Sequence, residues 1–148
     1  MKRSHEVVLI TYPRGQMLDV AGPLQMFAGA NDVMGRTVYD VRVAAAEAGP
    51  VLTSSGVEIV ASRSLAELVA TATGPDTLLV AGGQPGMAAA LAGGEVNAAV
   101  RALQSRTRRI GSVCTGALFL SQAGVLSGRR ATTHWRHIGE LAASDPTI

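Results

Sequence analysis

Ser112-Val113-Cys114-Thr115-Gly116 sets a lone thiol between a β-rich run and an Ala-rich helical window. This is the strand–nucleophile–helix order in which a sharp turn presents a side chain at the carboxyl edge of a sheet. Here Cys stands for the nucleophile and Ser for the first Gly. Gly116 lets helix and strand approach closely, and a helix N-terminus favours a thiolate. Cys114 is therefore expected to alkylate well below the pH at which a free thiol of pKa about 8.5 reacts. The competing reading is an inert structural thiol, since free cysteine is among the most buried residue types. Position at a sheet edge, followed by Thr-Gly, favours a site.

Three further segments could serve that thiol. Val80-Ala81-Gly82-Gly83-Gln84-Pro85-Gly86 ends a neighbouring apolar run, and glycines there let backbone N–H groups point into a crevice, as an oxyanion hole requires. Alone, the Gly82-Gly83 pair is merely a strand-to-helix turn. It is no GxGxxG phosphate loop, so nucleotide binding through such a loop is disfavoured. Asp19, flanked by apolar neighbours, either caps a helix or faces a pocket, and the cap is the favoured reading. His134 could orient or protonate a nearby thiolate, although a packed or surface histidine is the plainer reading. His137 has no pattern of its own. Arg129-Arg130 with Arg106, Arg108 and Arg109 read as a solvated face rather than a DNA patch.

The elements that must position these residues follow from periodicity. Residues 7–12 are a continuous apolar run of the kind buried on both faces of a sheet, 77–81 read as a second buried strand, and 39–46 and 109–113 as two further strands. Residues 51–52 and 57–60 flank Ser54-Ser55-Gly56 as a hairpin. Helical windows cover residues 19–31, with Pro23 placed near the helix start, and then 85–91, 95–107, 115–123 and 135–143. Ser64-Leu65-Ala66-Glu67 is a capping box for one more short helix, and Gly124 stops the helix that follows the thiol. Strands alternating with helices predict an α/β domain, a flavodoxin-like parallel sheet sandwiched by helices, spanning residues 1–148 as one unit. The terminal Asp145-Pro146 turn leads towards a further strand, so the domain reads as truncated at its C-terminal end.

Composition narrows the classes. The 148 residues are 47% hydrophobic and 16% charged, enough apolar matter for one core and against disorder. A net charge of +2 is too small to imply nucleic-acid binding by bulk charge, although basic residues outnumber acidic ones after residue 100. One cysteine excludes an intramolecular disulfide framework and a cysteine-based zinc cluster. No stretch reaches the roughly 18–20 apolar residues of a membrane helix, and the N-terminus lacks a signal-peptide pattern. A cytoplasmic location without membrane, metal or cofactor is the expectation.

Arg109-Ile110-Gly111-Ser112-Val113-Cys114-Thr115-Gly116-Ala117, together with residues 123–135 (AGVLSGRRATTHW), resembles the ThiJ/PfpI superfamily, whose fold is of the class I glutamine amidotransferase type. Leu18-Asp19-Val20-Ala21-Gly22-Pro23 and the Gly82-Gly83 turn match it as well. The resemblance implies that Cys114 sits at the nucleophile elbow and that Asp19 faces it. It also implies that backbone N–H groups near Gly83 and Thr115 form the anion hole. It further implies a homodimer.

Two branches of the superfamily fit. The amidotransferase-like N-terminal domain of AraC-type transcription regulators is the closer match, which implies a small-molecule effector and contact with DNA only through a C-terminal helix-turn-helix domain absent from these residues. Isonitrile hydratase is the alternative, with Cys114 attacking the electrophilic carbon, Asp19 handling the proton and Thr115 holding the intermediate. Residue 115 is Thr rather than the His of protease-like members, and residue 19 is Asp rather than the Glu of chaperone-like members. Neither of those activities is expected.

Overall fold

The computed structural model describes residues 3–148. Five parallel strands form the central sheet: β1 (His5–Ile10), β2 (Tyr39–Ala45), β5 (Arg63–Ser64), β6 (Thr77–Val80) and β7 (Arg109–Ser112). Their order across the sheet is β5-β2-β1-β6-β7. Two further strands, β3 (Gly49–Leu52) and β4 (Glu58–Ala61), make a separate antiparallel hairpin. Because every strand of the main sheet runs the same way, all their carboxyl ends share one edge. The order reverses at β1, whose neighbours are β2 on one side and β6 on the other. The crevice beyond that switch point is where open α/β sheets hold ligands.

β1 explains the choice of fold. Val7, Val8, Leu9 and Ile10 are all buried, so apolar residues face both sides of the strand and both sides must be covered. On one side lie α2 (Leu65–Ala70), α3 (Gln84–Gly93), α4 (Glu95–Leu103), α5 (Ala117–Gln122) and α6 (Ile138–Ser144). Val100 and Leu103 of α4 and Phe119 of α5 pack there against Val8, Ile10, Leu78 and Val80. On the other side α1 (Met17–Met34) and the hairpin cover Leu9, Val43 and Ala45 through Val20, Val51 and Ala61. Ser64 and Glu67 form the anticipated reciprocal capping box at the start of α2, with the Glu67 backbone N–H donating to the Ser64 hydroxyl at 3.1 Å.

Three local expectations change. Pro23 lies inside α1, seven residues from its start, because the helix begins at Met17 and not at Asp19. Asp19 does not cap that helix: the cap position is Gln16, which makes no side-chain capping bond. The helix after the thiol opens as a 3-10 turn, Cys114–Gly116, before six α-helical residues, so the thiol sits within a tight turn rather than ahead of a long dipole. β5 was not foreseen, since two residues carry no periodicity.

Candidate functional site

The turns that leave β1, β6 and β7 pack so closely that only glycine fits at two positions of the β6 turn. A Cβ on Gly82 would stand 2.7 Å from the Thr115 backbone nitrogen and 2.8 Å from an Asp19 carboxylate oxygen. Gly83 has φ 137°, and a Cβ there would run into the backbone of Gly15 and Gln16. The Gln16 N–H donates to the Gly82 carbonyl at 2.8 Å, and the Val113 N–H to the Val80 carbonyl at 2.9 Å, so the three turns are laced by backbone bonds.

Onto this frame the sequence places its polar side chains. Asp19, in the first turn of α1, is buried, and its carboxylate accepts the Gly82 N–H at 3.0 Å. Thr115 is buried too, and its hydroxyl accepts the Gly83 N–H at 3.0 Å. Of the two backbone amides that the resemblance assigns to an anion hole, those near Gly83 and Thr115, the Gly83 N–H is therefore engaged by a protein side chain, and so is the neighbouring Gly82 N–H. Cys114 is half-buried at φ 52°, a left-handed conformation that a non-glycine residue adopts only when its surroundings impose it. The Thr133 hydroxyl donates to the Cys114 carbonyl at 2.9 Å and ties the segment before His134 over the thiol.

These groups line one cleft of about 680 Å³. Asp19, Gly83, Cys114, Thr115 and His134 all border it, whereas Gly82 lies behind, holding Asp19. Asp19 is thus a pocket residue, and the capping reading falls. Gln16, Gln84, Arg136 and His137 also border the cleft and were missed. His137 meets Gln84 at 2.7 Å through Nε2 and Glu140 at 2.9 Å through Nδ1. Its spacing of three from His134, one turn apart, was the available signal. The Arg136 N–H donates to His134 Nδ1 at 3.3 Å, so a neutral His134 ring carries its proton on Nε2.

Burial pushes the Cys114 thiol above its ordinary pKa, and the neighbouring Asp19 carboxylate pushes it further. Donation from the Thr115 N–H and hydroxyl offsets this only in part. The direction is opposite to that expected from a helix N-terminus, because desolvation and a like charge outweigh a short turn's dipole. Burial raises Asp19 as well, against the Gly82 N–H, Cys114 and His134, which favour its carboxylate. Tyr12, beneath both, is buried and raised by the same combination. Burial thus raises both the thiol and the carboxyl. Among the described residues no group of three or more His, Cys, Asp or Glu could hold a metal ion, and no helix is long and apolar enough to cross a membrane.

Comparison with known proteins gives this arrangement a family. The chain is 36% identical over 143 residues to an uncharacterized protein from the cpoL 5′ region of Streptomyces lividans, covering 97% of this chain and 96% of that one. It is 30% identical over 132 residues to an isonitrile hydratase of Pseudomonas putida, covering 89% of this chain but 53% of that protein. It is 33% identical over 111 residues to the HTH-type transcriptional regulator CdhR of Pseudomonas aeruginosa, covering 75% of this chain and 31% of the regulator. The chain thus spans about half, or less, of the length of the last two. A ThiJ/PfpI family protein from Pseudomonas syringae superposes with a TM-score of 0.83 at 27% identity, over 96% of this chain and 55% of that one. An AraC family transcriptional regulator from Pseudomonas putida, at 22% identity and TM-score 0.71, covers 97% of this chain and 74% of its own, and shares the fold. The DJ-1/PfpI family profile matches residues 5–147, and the chain belongs to that family.

Proposed function

We propose that this chain is an effector-sensing and dimerisation module of the AraC-type regulator kind, cytoplasmic, which holds a small metabolite in the Cys114 cleft without converting it. The observation that carries this reading is the engagement of both glycine amides, Gly82 by Asp19 and Gly83 by Thr115. A catalyst that adds to an electrophilic carbon needs donors aimed where charge develops, and these donors already have partners. A thiol pushed up in pKa is also a weaker source of thiolate at neutral pH. The alignment with an HTH-type regulator supports the same reading. Contact with DNA belongs, in this reading, to a helix-turn-helix domain that residues 1–148 do not contain. Pairing with a second copy is supported by exposed apolar side chains on α1 and the hairpin: Leu18, Met26, Val33 and Val60 are each at least two-thirds exposed.

One observation favours a second reading. Asp19 and Cys114 border the same cleft and each shifts the pKa of the other, the pairing a hydratase would use to move a proton onto its adduct. An alkyl isonitrile assay on the wild-type chain and on Cys114→Ala separates the two. The sensor reading expects no turnover from either. Hydration at about 1 per second or more, abolished by Cys114→Ala, overturns it in favour of the hydratase.

A further inference from the structure

A second cleft lies at the opposite end of β7, about 13 Å of strand from the thiol. Its volume is about 630 Å³, and Arg108, Arg109 and Arg129 all line it. In sequence these arginines read as a solvated face, and the fold instead gathers three of them around one concavity. None has a carboxylate within salt-bridge distance among the described residues, unlike Arg3, Arg42 and Arg63, which do. Asp145 accepts the hydroxyl of the lining residue Ser127 at 2.6 Å. Its carboxyl is held low by hydroxyl and amide donors, with no arginine among the causes. Gln104 and Thr107 also line the cleft, with the Thr107 hydroxyl itself buried on the side of Gly74.

Three like charges around one open cleft repel one another, a repulsion that physiological salt, with a Debye length of about 8 Å, screens only in part. An anion rich in acceptor oxygens relieves that repulsion. Guanidinium forks suit phosphate oxygens bidentately, and the Gln104 side-chain amide can supply a neutral donor that phosphates also take. We propose that this cleft is a second ligand site, which takes the phosphate chain of a small polyphosphorylated molecule. The site uses arginines rather than a glycine loop, so the lack of a GxGxxG pattern does not bear on it.

Calorimetric titration of the intact chain with inorganic triphosphate, at about 150 mM salt, tests it. The expected result is saturable one-to-one binding with Kd below about 1 mM, weakened about tenfold or more in the double variant Arg109→Ala/Arg129→Ala. Cys114→Ala and Arg36→Ala, both away from the cleft, leave the affinity unchanged. Both target arginines are exposed, and an unaltered melting temperature verifies that the double variant is folded. A nucleoside triphosphate binding as well as triphosphate places the affinity in the phosphates, and tighter binding adds the nucleoside as the source; both support the site. Absence of saturation, or equal affinity in the double variant, overturns the proposal. So does a single-stranded oligonucleotide that binds more tightly than triphosphate and gains with length, which marks a polyanion surface instead.

Discussion

On one face of the sheet, α2 to α6 close over a continuous cluster in which Phe119, Leu68, Leu78, Leu103 and Val100 are fully buried. On the other face a single long helix and a hairpin close over a smaller cluster around Leu9 and Val20. The outer side of that cover leaves Met26 at 74% and Val33 at 89% exposure. The first face holds most of the apolar surface whose removal from water stabilises the fold. The second is apolar on both its sides, which suits a helix that is itself to be covered. The site sits where the two faces meet, at the carboxyl edge, and draws Asp19 from one and Thr115 from the other.

Truncation sharpens the contrast most. Phe119→Ala is expected to cost about 3–5 kcal/mol, because the aromatic ring is fully buried and its centroid lies 5.0 Å from that of Tyr12 in a tilted pair. Leu24→Ala, on the half-buried side of α1, is expected to cost less than half of that. Urea unfolding of both variants checks the ratio, and equal losses would erase the distinction between the faces. Gly82→Ala comes next. Its methyl must displace Thr115 or Asp19, so about 1–3 kcal/mol of stability and the shape of the cleft are expected to go together. Melting curves and a spectroscopic probe of Cys114 read the two effects separately.

Smaller still is the effect of charging the outer face of α1. Met26→Asp with Val33→Asp is expected to leave the protomer's stability within about 0.5 kcal/mol per substitution, since neither side chain is in the core. Sedimentation is expected to show the wild type as a dimer and this variant as a monomer at the same concentration. A wild type that stays monomeric across the micromolar range contradicts pairing.

Much of this architecture was legible in the residues. The apolar runs at residues 7–12 and 77–81, the Ser64–Glu67 box and the Ser54-Ser55-Gly56 hairpin are local signals whose causes lie within a few residues. Cys114, Asp19, Gly83, Thr115 and His134 were each singled out, and the fold gathers them into one cleft. Gln16, Gln84 and Arg136 were not, because nothing in their neighbourhoods distinguishes a cleft-lining polar residue from a solvated one, and His137 was given no role although it lies one turn from His134. Asp19 was read as a cap because its partner, the Gly82 N–H, lies 63 residues away. The direction of the thiol's pKa was missed for the same reason: helix position is local, whereas burial and the Asp19 charge arise only in three dimensions.

The account turns on a thiol whose pKa is raised by burial and by the neighbouring Asp19 carboxylate. Asp19 has a folded-state pKa raised above its ordinary 3.8, so its contribution to stability is full below that pH and is lost as pH rises through the raised value. Asp19→Asn is expected to remove that decline from the pH dependence of unfolding. The most direct measurement is the rate of Cys114 alkylation by iodoacetamide as a function of pH, in the wild type and in Asp19→Asn. The predicted midpoint for the wild type lies above the value of about 8.5 for a free thiol, and it falls in the variant because the neighbouring negative charge is gone. A wild-type midpoint below about 7, unmoved by Asp19→Asn, would mean a thiolate poised for attack and would contradict the account.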